Sequence, residues 1–140
     1  MQYFGTDSLF LSYIVQFLKP TGAIGFASAG LIREFDDKVP EHLVTFWQSD
    51  AWGIRTAEWW GQHWARTGLV ELEVADEMCD GWRLWLKWAI ANNAADWYLK
   101  MLERDAGRYL GYVRGVARRR ADTPDLPCDL RTGEFPDGER

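Results

Sequence analysis

The chain has 140 residues, a net charge of −5, and 47% hydrophobic, 15% aromatic and 26% charged positions. That is one domain's length, with enough chain to hide about two thirds of its extended-chain surface, and the composition excludes disorder, a disulfide scaffold and a collagen-like fibre. Residues 121–140 hold six acids and two bases, a charge of −4, so the rest is close to neutral. A basic face of the kind that binds nucleic acid is absent; the one dense basic run is Arg118, Arg119 and Arg120.

Thr6 and Asp7 are good cap residues for a helix over about Ser8–Leu18. Its apolar residues go nearly all the way round, so it is expected to be buried on more than one side or to meet a partner. Lys19-Pro20-Thr21-Gly22 ends it, because proline cannot continue a helix and glycine tolerates positive φ. Ala23–Ala29 is a short apolar run between glycines, expected as a strand covered on both faces as in a parallel sheet. Val39-Pro40-Glu41-His42-Leu43 suits a helix start, and a loop follows through Ser49, Asp50 and Gly53.

Thr56-Ala57-Glu58 is a cap followed by an acid in the first turn. The helix it opens, Ala57–Thr67, carries Trp60 and Trp64 on one stripe, Trp59 and His63 on the next, and stops at Gly68. Leu69–Ala75 alternates, with Leu69, Glu71, Glu73 and Ala75 on one side and Val70, Leu72 and Val74 on the other, as a strand with one covered face does. Asp80 is the expected cap of a long Trp-rich helical region, interrupted at Asn92-Asn93 and closed by Gly107; Tyr109–Ala117 is the last strand. Helices alternating with apolar strands predict an α/β layered sheet over residues 1–120, and residues 121–140, acidic with prolines and glycines, predict a loose tail.

Dinucleotide, P-loop, zinc-protease and nucleophile-elbow patterns are all missing. His42 and His63 share no ligand spacing with Cys79 and Cys128, and no metal is expected. Two distant cysteines read as reduced thiols. With no Lys or Arg before Lys19, and Leu9–Leu18 too short to span a bilayer, the expected location is the cytoplasm, without stable membrane association. Nine tryptophans stand out. Most sit at helical spacing beside Leu and Ala and read as core; Trp52 and Trp59 are the first candidates for pocket walls.

Tyr3-Phe4-Gly5-Thr6-Asp7, then Phe17-Leu18-Lys19-Pro20-Thr21-Gly22-Ala23-Ile24-Gly25, resemble the fourth-strand exit, following helix and fifth strand of class I S-adenosylmethionine-dependent methyltransferases. In that family a Leu-Lys-Pro-Gly-Gly turn feeds the fifth strand; here Thr21 replaces the first glycine. Val39–Leu43, Glu58–Trp64, Thr67–Val70 and Asp80–Trp88 resemble a bacterial small-molecule branch, and the likeness spans residues 3–117.

The resemblance implies the C-terminal half of a Rossmann-like methyltransferase sheet, strands five to seven with covering helices and the last strand antiparallel. The family holds S-adenosylmethionine with a glycine-rich loop after strand one and an acid after strand two, neither of which this sequence contains. No cofactor is therefore expected on this chain alone, and no turnover. Tyr3, Phe4 and Asp7 inherit a place near the transferring methyl, while Arg33, Trp52, Trp59 and His63 shape a pocket for a small-molecule acceptor. Cutting such a sheet before strand five leaves Ala23–Ala29 as an apolar edge, so the expected partner is a second copy or a separate N-terminal half. The alternative is a non-catalytic domain that self-associates or binds a small ligand.

Overall fold

The structure, a computed structural model, describes residues 3–47 and 51–124, except for the side chain of Trp52. Ser49, Asp50, Cys128 and residues 125–140 of the acidic tail lie outside the described residues. In chain order the elements are α1 (Phe10–Ile14), β1 (Ala23–Leu31), α2 (Val44–Trp47), α3 (Ala57–Ala65), β2 (Val70–Glu77), α4 (Gly81–Ala91), α5 (Asp96–Asp105) and β3 (Leu110–Arg119). Single 3-10 turns at Val15–Phe17, Glu41–Leu43 and Ala51–Gly53 extend or join the helices.

β3, the last element among the described residues, is the middle strand. It pairs antiparallel with β1 from Ala23↔Arg118 to Leu31↔Leu110, and antiparallel with β2 from Val70↔Arg119 to Glu77↔Val113. The sheet is therefore α/β and antiparallel in every pair, not the parallel sheet expected around Ala23–Ala29, although β1 and β2 themselves run the same way.

Helices cover both faces. On one, Trp60 and Trp64 of α3 are each 1% exposed, and the Phe26 ring of β1 packs 5.0 and 5.2 Å from them. Phe26 can lie there because its cross-strand partner is Gly115, where a side chain would collide with the ring. Leu11 and Val15 join Trp64, Val70 and Ala117 on this face. On the other face Leu31 and Leu110 pack with Trp85 and Ala89 of α4, Met101 and Leu102 of α5, and Leu43 and Ile54. That cover reaches only one end of the sheet. Towards the other end Ala23, Gly25 and Ala27 are exposed, beside Arg114 paired to Asp76 and Arg118 paired to Glu73. The Arg114 guanidinium holds the Asp76 carboxyl below the usual range.

The open face corrects the expectation that β1 is covered on both sides. Its other edge is open as well. Leu31 donates its N–H to the Arg55 carbonyl, 3.1 Å away on the side opposite β3, and a parallel bridge joins Leu31 to Thr56 there. Strand alternation then points the N–H and C=O groups of Ala23, Gly25, Ala27 and Ala29 to the same outer side. Among the described residues no strand takes them up.

Several local expectations give way to the chemistry around them. The helix expected over Ser8–Leu18 has only one α turn and a 3-10 turn. Its cap position is Leu9, without a side-chain cap, and not Thr6 or Asp7; Asp7 accepts the Leu9 N–H at 2.7 Å in the turn before it. Leu9, Tyr13 and Phe17 stay 72%, 52% and 49% exposed, so among the described residues the second covered side is lacking. In β2 the alternation breaks, because a bulge between Leu72 and Val74 skips Glu73. Ala75 thereby joins Leu72 facing Gly61 of α3, while Val74 moves to the side of Asp76. Asp80 is not a side-chain cap. It stands in the left-handed region at φ 54° and pairs with Arg83. Trp60, Trp64 and Trp85 are core, whereas Trp88 and Trp97 are 58% and 50% exposed. The α3 helix fits its expectation closely: Thr56 accepts from the Trp59 N–H at 3.2 Å, and Gly68 ends the turn at φ 67°.

In the turn before β1 the positive φ falls on Thr21, at 59°, and not on Gly22. The turn is pinned by Gly22 N–H to Lys19 C=O at 2.8 Å and by Arg118 to the Thr21 carbonyl at 2.9 Å. A β-branched residue in the left-handed region is strained by about 1–2 kcal/mol, of which glycine's extra unfolded-chain entropy returns about 0.5–1 kcal/mol. Thr21→Gly is expected to stabilise the fold by about 0.5–1 kcal/mol. A higher urea midpoint at unchanged slope would show it.

Candidate functional site

The structure gathers part of the expected set where the outer edge of β1 meets the start of α3. Thr56 caps α3 so that Trp59 and His63 lie four apart on one stripe, and Arg55, just ahead of the cap, comes beside them. The Trp59 and His63 rings stack at 4.6 Å with 18° between planes. On Trp59 the Arg55 guanidinium lies 5.3 Å from the ring centre, and Trp60 meets Trp59 edge-on at 5.1 Å. His63 Nε2 is 3.1 Å from the carbonyl of buried Gly5. That contact ties the segment Tyr3–Asp7 to α3.

Tyr3 and Phe4 are 52% and 74% exposed. Burial raises the Tyr98 phenol above its ordinary range, the Trp85 indole donating to its oxygen at 2.9 Å offsets part of that, and the neighbouring Tyr112 and Tyr3 phenols add smaller upward pushes. Asp7 spends a carboxylate oxygen on the Leu9 N–H, a structural role. Arg33 is drawn elsewhere, its guanidinium 4.4 Å from the centre of the Tyr109 ring. The Trp52 side chain lies outside the described residues.

Two groupings escape the sequence reading. Arg55 is one, since nothing in Gly53-Ile54-Arg55-Thr56 marks it until the helix start fixes its register on Trp59. The other is the pair His42–Asp105, with Nε2 and Oδ1 2.9 Å apart and side chains 7% and 1% exposed. Asp105 Oδ2 also accepts the N–H groups of Tyr109 at 3.2 Å and Leu110 at 2.9 Å. With its lone pairs so used, this carboxylate organises the entry to β3.

A separate cleft of about 330 Å³ opens at the start of α4, lined among others by Met78, Cys79, Asp80, Trp82 and Gly107. None of Tyr3, Phe4, Asp7, Arg33, Trp59 and His63 lines it. Among the described residues no cluster of His, Cys, Asp and Glu could hold a metal ion, and no helix is long and apolar enough to cross a membrane. Comparison with protein-family models, with curated proteins and with solved structures finds no match to this chain.

Proposed function

We propose that this chain is the C-terminal half of an S-adenosylmethionine-dependent methyltransferase sheet, acting on a small molecule through its acceptor side and not catalytic by itself. The observation that carries the reading is the outer edge of β1. α1 lies on one face of the sheet and leads directly into that strand, as the helix of a strand–helix–strand unit does. The place of the unit's first strand, beside β1, is open among the described residues. A last strand antiparallel to its neighbours agrees with the resemblance. So does Thr21, whose positive φ stands where the family has glycine.

Methyl transfer asks the protein mainly to hold acceptor and sulfonium in line. Trp59 and His63, stacked and tied to Gly5, would form a wall for the acceptor, with Tyr3 and Phe4 at its exposed rim. The donor's methionine and ribose would be held by residues outside this chain. Calorimetry of S-adenosylmethionine against the isolated chain is the test. The expected result is no saturable heat; saturable micromolar binding would overturn the incomplete-site reading.

The exposed stripe Leu9, Tyr13 and Phe17 favours a second reading, a domain of the same origin that serves by self-association. Calorimetry separates the two poorly, because both predict no donor binding. Activity regained on adding a donor-binding half would support the first and contradict the second.

A further inference from the structure

We infer that Arg55, backed by Trp59 and His63, is a seat for an oxyanion, the carboxylate or phosphate group of a small-molecule ligand. The inference deepens the acceptor reading by giving the acceptor a charge. Its test involves no methyl donor, so either can fail without the other.

Arg55 is held in place from both ends. Its carbonyl accepts the Leu31 N–H at 3.1 Å at the end of β1, and its guanidinium lies on Trp59, whose ring is stacked on His63. Among the described residues the guanidinium is nevertheless without a counter-ion. Arg83, Arg104, Arg114, Arg118 and Arg120 each meet an acid, yet among the described residues no carboxylate pairs with Arg55. Its Nε is buried and has no hydrogen-bond acceptor among the described residues. Glu34, nearby in the fold, reaches the Thr56 hydroxyl at 3.4 Å instead.

A guanidinium lying on an indole is attracted by the ring and loses side-chain freedom before any ligand arrives. The buried Nε is out of a ligand's reach, but the two terminal amino groups of a guanidinium lie in one plane, where a carboxylate or phosphate matches their N–H groups two at a time. Apart from its place on Trp59, this half-buried cation has no charge partner among the described residues. It is arranged for an anion that comes from outside.

The test is an NMR titration of the 140-residue chain, following the Trp59 indole and the His63 ring at fixed pH and ionic strength. Sodium phosphate and sodium acetate are added separately, with sodium chloride as reference. The expected result is a saturable shift of both rings at millimolar phosphate or acetate and none with chloride. A response to phosphate alone assigns a phosphoryl group, and to acetate alone a carboxyl group. Arg55→Met keeps the packed stem on Trp59 and is expected to weaken binding about tenfold or more while leaving the melting temperature unchanged. Arg55→Lys, a point charge without the fork, should fall between. Shifts that do not saturate, or that persist in Arg55→Met, would overturn the inference. A fall of more than about 5 °C in the Arg55→Met melting temperature would also overturn it, by marking a structural cation.

Discussion

Replacing Asp105 by alanine is expected to lower the unfolding free energy by about 3–5 kcal/mol, the range for breaking a buried charge-bearing network from one side. Asp105 is 1% exposed and joins three parts of the chain. It closes α5, its Oδ1 meets His42 in the turn Glu41–Leu43, and its Oδ2 receives the first N–H groups of β3. Between helix and strand the backbone passes through two left-handed residues, Ala106 at φ 50° and Gly107 at φ 78°, and the carboxylate holds that reversal. Leu110, fully buried opposite Leu31, follows at once, so the loss would spread into the core around α4 and α5. Asp105→Asn keeps the size and one acceptor oxygen and should cost clearly less. Urea unfolding of both variants checks this. A loss below about 1 kcal/mol for Asp105→Ala, the worth of one ordinary hydrogen bond, would contradict the role given to the carboxylate.

How much of this was legible in the sequence depends on whether local chemistry decided the outcome. Thr56-Ala57-Glu58, the Trp60/Trp64 stripe and Gly68 state the α3 helix completely, since cap, apolar face and stop all lie within one short stretch. The same stretch places Trp59 and His63 side by side. The bulge at Glu73 has no local mark, because it answers to the register with β3 some forty residues later, and it moved Val74 and Ala75 to opposite faces from those expected. Asp105 reads as one more surface acid until His42 arrives from a distant turn. Thr21 could not show its positive φ, as the strain is imposed by the turn and by Arg118. For α1 the apolar residues were plain, but their burial was not; among the described residues only Leu11 and Val15 of its length are fully covered.

That exposure and the bare strand beside it carry the second large effect. Ala23, Gly25 and Ala27 offer backbone groups along an edge that has no charge and no proline from Ala23 to Leu31, the devices that keep sheet edges apart. Self-pairing there would bring no like charges together, and the nearby Arg114 and Arg118 of β3 are already paired with Asp76 and Glu73 of β2. An isolated chain with this edge is expected to pair through β1 with a second copy. A lysine at position 25 should prevent it, since a side chain there makes only ordinary contacts within the chain and would set like charges against each other across a symmetric junction. Sedimentation velocity of the wild-type chain and of Gly25→Lys over a hundredfold range of concentration measures this directly. A wild-type chain that dimerises and a Gly25→Lys chain that stays single are the expected result; a wild-type chain that remains a monodisperse monomer throughout would contradict an unfinished sheet.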